Sequence, residues 1–138
     1  MITKITEELY ISGKETKEAV AHSKIKYCIN ISGIPVEYKV DEVLSLADSY
    51  EKNDAQKFIK VLDSIDRQVK AKKTPVLIMC HAGVSRSPTI AALYLFYNHT
   101  FQSFDEALEY VTKKSKIARP NPSLVDFIKR NVIPKFRS

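Results

Sequence analysis

This chain is short of the residues that cross-link or punctuate a fold. It contains two cysteines and three glycines in 138 residues. No internal repeat, low-complexity tract or Pro/Gly/Ser-rich linker interrupts it, which excludes repeat arrays and points to one domain spanning 1–138. With 44% apolar content, a chain of this length can bury a core without disulfides. Cys28 and Cys80 form no C-x-x-C pair and no ligand cluster with His22, His81 and His99, so neither a zinc centre nor another cofactor is expected. No run approaches the ~18 apolar residues that cross a bilayer. Met1 to Glu8 turns charged before an apolar stretch develops, so a signal peptide is not expected either. These absences lead us to expect a soluble, cytoplasmic monomer that does not engage membranes.

The charge is one-sided, at +6. The lysines are scattered, with a denser group at Lys70, Lys72 and Lys73 that reads as a solvated turn. A basic surface favours acidic partners such as phosphoproteins or RNA ends, but no arginine-rich tract singles out nucleic acid.

Against this background one stretch stands out, Pro75 to Pro88. Val76-Leu77-Ile78-Met79 is an unbroken apolar run and reads as a strand buried on both faces. It ends at Cys80. A loop of mostly small residues follows, His81-Ala82-Gly83-Val84-Ser85-Arg86-Ser87, and then Pro88 to Leu95 reads as a helix with proline tolerated in its first turn. The unpaired N–H groups of such a loop and helix start make an anion site.

Arg86, six residues after Cys80, can face the same pocket as the sulfur. Helix end, loop amides and guanidinium all favour the thiolate. A phosphate fits that cradle, held by the Arg86 fork and by the backbone of His81, Ala82, Gly83, Val84, Ser85 and Arg86. The sulfur then stands in line behind phosphorus. Attack would give a cysteinyl phosphate, with arginine and amides rather than a metal neutralising the developing charge. Ser87 could donate to the sulfur and help it leave in the second step.

The rest of the chain supplies a frame for this loop. Glu8 to Gly13 and Lys26 to Ile31 read as strands flanking a short helix, Lys14 to His22. Val43 to Asp48 reads as an edge strand running into a loop. Asn53 or Asp54 can cap the next helix, whose Phe58, Ile59, Leu62, Ile65 and Val69 recur at helical spacing. Ser103 and Glu106 form a capping-box pattern ahead of a helix over 107–114. Arg119-Pro120-Asn121-Pro122 breaks that helix, and a last one begins at Ser123 with Leu124, Phe127, Ile128 and Val132 facing inward. The fold class is α/β, a mostly parallel twisted sheet of four to five strands flanked by helices. Cys28, in an apolar run, reads as a core residue, or else as a redox partner for Cys80 if the two meet.

Cys80 to Ser87 resembles the signature loop of the cysteine-dependent dual-specificity protein phosphatases, His-Cys-x-x-Gly-x-x-Arg-Ser/Thr. One position departs: the family's histidine before the nucleophile is Met79 here, and a histidine follows instead as His81. In the family that preceding histidine orders the loop and tunes the thiol. The resemblance implies a general acid about thirty residues upstream, on a loop after the preceding strand. Asp48 lies 32 residues before Cys80 (80 − 48) at such a place. Asp54 competes but sits where a cap is wanted, and Asp41 and Glu42 precede the expected strand. The resemblance also implies that Asn121 steadies the phosphate loop.

The resulting expectation is a phosphatase acting on phosphotyrosine and on phosphoserine or phosphothreonine in proteins, with a shallow pocket because the chain is short. An RNA 5′-triphosphatase or phosphoinositide phosphatase is the alternative enzyme, although no lysine lies between Cys80 and Arg86 as in lipid-directed relatives. Met79 prompts a third reading, a weakened phospho-binding module. Rhodanese-like sulfur transfer fits the Arg86-Ser87 ending less well.

Overall fold

Val76–Met79 (β5) is the middle strand of the sheet, and all four side chains are fully buried, as a run without polar residues requires. The structure is a computed structural model that describes residues 1–137. Before β5 in the chain come Thr3–Lys4 (β1), Leu9–Ser12 (β2), Lys17–His22 (α1), Tyr27–Asn30 (β3), Glu42–Val43 (β4) and Ala55–Lys70 (α2). After it come Arg86–Tyr97 (α3), Phe104–Lys114 (α4) and Pro122–Phe127 (α5). A π-helical turn, Ile128–Val132, and a 3-10 turn, Ile133–Lys135, follow α5.

The sheet order is β1-β2-β5-β3-β4. β2, β5, β3 and β4 run parallel, and β1 is antiparallel to β2. Parallel neighbours put all their C-terminal ends on one side, so Ser12, Asn30 and Met79 end together, and the loops that leave them share one edge.

α3 is apolar all round and buried from Ser87 through Phe96, which makes it the helix at the centre of the main core. α2 shows the amphipathic face expected of it. Phe58, Leu62 and Ile65 are buried with Val61, while Ile59 and Val69 are only partly covered. The other face of the sheet carries a smaller cluster, Cys28, Tyr38, Leu77 and Met79, roofed by Val20 of α1 and by Ile34, Val36 and Val40.

Several boundaries differ from expectation for local reasons. β1 has no apolar alternation to announce it. α1 begins at Lys17, not Lys14, because Thr16 takes the capping position and accepts from Ala19 N at 3.1 Å. The edge strand is Glu42–Val43 rather than Val43 to Asp48. Asp41 and Glu42 therefore belong to the strand region, where Asp41 accepts the Cys28 N–H at 2.7 Å and Glu42 accepts the Tyr27 hydroxyl at 2.7 Å. α5 starts one residue early, at Pro122, with Asn121 as its cap. Ser103 caps α4 by accepting Glu106 N at 3.1 Å, but the Glu106 carboxylate reaches back to the Ser103 hydroxyl rather than to its backbone N–H.

Candidate active site

Cys80 leaves the end of β5 with its N–H on the Ser12 carbonyl, 3.1 Å away, and with only 2% of its surface exposed. The Gly83 N–H donates to Cys80 Sγ at 3.2 Å. The Ser87 hydroxyl, fully buried, lies 3.3 Å from the sulfur and 3.2 Å from the Ser12 carbonyl. One hydroxyl proton thus has two acceptors in reach. When the sulfur is ionised it is the stronger acceptor, and the proton can turn to it.

Three of the loop's carbonyls are turned outward onto fixed donors. Lys14 N holds the His81 carbonyl at 2.9 Å, Arg119 N holds that of Val84 at 2.7 Å, and the Thr89 N–H and hydroxyl hold that of Ser85 at 3.1 and 2.6 Å. In a trans peptide the N–H points opposite its C=O. The Ala82, Ser85 and Arg86 N–H groups are therefore turned to the inside of the loop, and they make no hydrogen bond among the described residues.

Closure of the loop depends on two glycines. Gly83 has φ +72°, a conformation that disfavours a side chain, and a Cβ there would lie 2.6 Å from Gly13 N. A Cβ on Gly13 would lie 2.6 Å from the Ala82 carbonyl carbon. The turn after β2 and the loop after β5 touch backbone to backbone.

The structure brings Asp48 to this loop. Ser85 Oγ donates to Asp48 Oδ1 at 2.8 Å, while Oδ2 makes no hydrogen bond among the described residues. Asn121 reaches both partners: its backbone N–H donates to Ser85 Oγ and its side-chain Nδ2 to the Asp48 carbonyl, each at 2.8 Å. The side chain of Asn121 thus holds the segment bearing Asp48, and only its backbone contacts the phosphate loop. Arg86 also joins the two segments, with Nη1 donating to the Leu46 carbonyl at 2.9 Å.

Asp54 is a helix cap, its Oδ1 accepting Gln56 N at 2.9 Å. Asn53 instead folds the Asp48 segment. Its Oδ1 accepts Ala47 N at 3.1 Å and its Nδ2 donates to the carbonyls of Ala47 and Ser49 at 2.8 and 2.6 Å.

His81 and Ala82 are exposed at the mouth, Val84, Ser85 and Arg86 are half-buried, and Gly83 is buried. Cys28 does not join the site. It pairs with Leu77 and packs in the cluster on the opposite face from Cys80, which is three residues further along, or roughly 10 Å of strand. Burial pushes its thiol up to about 12, so it is an inert core residue.

Sequence reasoning did not find the Ser12 carbonyl, Lys14 N, Arg119 N, the Leu46 carbonyl or the Ser85 hydroxyl. The first four act through backbone groups, which any residue supplies. The Ser85 hydroxyl had no visible partner in the sequence, since Asp48 is 37 residues away.

A family model described as dual specificity phosphatase, catalytic domain, matches residues 9–130. The chain belongs to that family of phosphatases. It is 32% identical over 117 residues to rat dual specificity protein phosphatase 5, covering 85% of this chain and 26% of that protein. It is 27% identical over 130 residues to the tyrosine-protein phosphatase yvh1 of Schizosaccharomyces pombe, covering 90% of this chain and 39% of that one. This chain thus spans a quarter to two fifths of those relatives. Among solved structures, human DUSP28 superposes with a TM-score of 0.78 at 18% identity, covering 94% of this chain and 90% of that one, which supports the shared fold.

Proposed function

We propose that this phosphatase hydrolyses phosphotyrosine, and phosphoserine or phosphothreonine, in proteins through a cysteinyl-phosphate intermediate, with Cys80 as nucleophile, Arg86 as phosphate clamp and Asp48 as general acid and base. The observation that carries the reading is the arrangement around Cys80 Sγ: a sulfur at the floor of a loop whose Ala82, Ser85 and Arg86 N–H groups face inward, with a carboxylate tied to its rim.

A phosphate dianion placed on those N–H groups would take further hydrogen bonds from the remaining donors of Arg86, which spends one on Leu46. Sulfur attacks phosphorus, the S–P bond forms and the P–O bond to the leaving group breaks. Asp48, protonated on its free oxygen, passes that proton to the departing oxygen. In the second step Asp48 takes a proton from water, the water oxygen bonds to phosphorus, and sulfur departs as thiolate with the Ser87 hydroxyl donating to it. Inorganic phosphate is released and the enzyme is restored.

The position of Met79 bears on the alternative of a binding module. Met79 is fully buried in the smaller cluster, and the loop is ordered without a histidine there, by Lys14, Arg119 and Thr89. The test is turnover of p-nitrophenyl phosphate, a phosphotyrosine peptide, a phosphoserine peptide and a 5′-triphosphorylated RNA by wild type and Cys80→Ser, with a chelator present. Hydrolysis of both phosphopeptides by wild type alone is expected. Activity on the RNA alone, or equal activity of Cys80→Ser, would overturn the reading.

A further inference from the structure

The edge of the sheet nearest Asp48 is open. β4 is an outermost strand, and its register places Glu42 and Leu44 against β3, with Leu44 N on the Asn30 carbonyl at 2.9 Å and Leu46 N on that of Ile31 at 2.8 Å. By alternation the N–H and C=O of Val43 and Ser45 face away from the sheet. Val43 is 58% exposed, unusual for its type in this chain. Beside it runs a groove of about 260 Å³ lined by Val43, Leu44, Ser45, Lys57 and Lys60. Among the described residues neither lysine pairs with a carboxylate.

We propose that this edge, Val43 to Ser45 with Lys57 and Lys60, docks an extended acidic segment flanking the phosphorylated residue of the substrate, which adds to the sheet as a further strand. The inference deepens the phosphatase reading above and rests on it. Main-chain pairing to Val43 and Ser45 supplies affinity, and carboxylates opposite the two lysines supply selectivity. A second copy of this chain is a poor occupant, since it brings the same lysines and the same net charge of +6 to the contact. Ser45 is three residues before Asp48, roughly 10 Å of extended chain. A segment paired there delivers a residue a few positions along to the phosphate loop.

The experiment compares two phosphotyrosine peptides of equal length, one flanked by glutamates and one by alanines, with p-nitrophenyl phosphate as the undocked reference. In wild type kcat/KM for the glutamate peptide should exceed that for the alanine peptide about tenfold, the effect of ~1.4 kcal/mol. In Lys57→Glu/Lys60→Glu the ratio should fall to about one or below, with p-nitrophenyl phosphate turnover unchanged. N-methylation of alternate amides in the glutamate flank should bring that peptide down to the alanine one. Equal kcat/KM for the two peptides in wild type, a preference that survives the double substitution, or indifference to N-methylation would each overturn the proposal. If p-nitrophenyl phosphate is not hydrolysed, the phosphatase reading fails on its own. Fluorescence anisotropy with the same peptides then decides the docking strip, preferential binding of the glutamate peptide supporting it and equal binding overturning it. Single-stranded RNA that binds wild type through Lys57 and Lys60 while the glutamate peptide binds no better than the alanine one would also overturn it.

Discussion

Ser85 Oγ donates to Asp48 Oδ1 at 2.8 Å, so the phosphate loop itself holds the carboxylate proposed to protonate the leaving group. The same oxygen of Ser85 accepts the Asn121 N–H, and Asn121 Nδ2 returns to the Asp48 carbonyl. Three segments distant in sequence close a ring of hydrogen bonds. Ser85→Ala keeps the backbone N–H that faces the phosphate but removes the anchor of the acid. A hydrogen bond to a charged group contributes about 1.5–3 kcal/mol. Turnover of a phosphopeptide should fall roughly tenfold or more, with p-nitrophenyl phosphate less affected and KM for both little changed. An equal drop on both substrates would point to a damaged phosphate loop instead.

Asp48→Asn separates the chemistry from the scaffold more sharply. It removes the proton donor while leaving an acceptor oxygen for Ser85. General acid catalysis contributes roughly 10²–10⁴-fold, so kcat on phosphoserine and phosphotyrosine peptides should fall by about that factor. An activated aryl phosphate, whose leaving group needs little protonation, should lose far less. Rates measured across a series of leaving groups check this, and a uniform loss across the series contradicts it.

Gly13 lies outside the signature loop, yet the structure makes it a condition of that loop's shape. A methyl group there would meet the Ala82 carbonyl carbon and oxygen at 2.6 and 2.7 Å, both backbone atoms that cannot rotate away. Gly13→Ala should cost about 1–3 kcal/mol of stability, the usual penalty of overpacking. Phosphate and substrate affinity should fall with it. Chemical denaturation and KM, measured on the same preparation, test the two effects together.

Much of the fold was legible because its signals are local. The apolar run of β5, the Ser103 cap and the periodic face of α2 each announce themselves within a few residues. So did Cys80, Arg86 and Ser87, which share one loop. The placement of Asp48 followed from the resemblance and from the strand that leads to it. What the sequence could not show was long-range pairing of groups without a signature: β1 adding antiparallel to β2, the Asn121 side chain choosing the Asp48 carbonyl over the phosphate loop, and Asn53 folding the acid segment while Asp54 capped the helix. Asn53 and Asp54 were both candidates for the cap, and the chain uses each for a different contact.

Buried and half-buried acids of raised pKa, among them Cys28, Tyr27, Tyr38 and Tyr94, give the protein an alkaline limit. Burial, with Asp41 adding to it, pushes the Cys28 thiol up to about 12. Burial raises Tyr27, aided by Glu42, and Tyr38, aided by Cys28, to about 12 as well. These groups stay neutral in the folded chain where an unfolded one already ionises, so above the ordinary thiol range the unfolded state releases more protons. The contribution of these groups to stability should fall as pH rises through about 9 to 12. Urea midpoints across that interval measure it, and Tyr38→Phe should flatten the slope.

The most direct measurement is the chemical identity of the protein during turnover. Mixing Ser87→Ala, in which thiolate departure is slowed, with a phosphotyrosine peptide and quenching within milliseconds into denaturant should yield protein carrying phosphate on Cys80, located by mass spectrometry. The same treatment of Cys80→Ser should leave the protein unmodified. Turnover of the peptide with no phosphate ever found on Cys80, or with phosphate on another residue, would contradict the account.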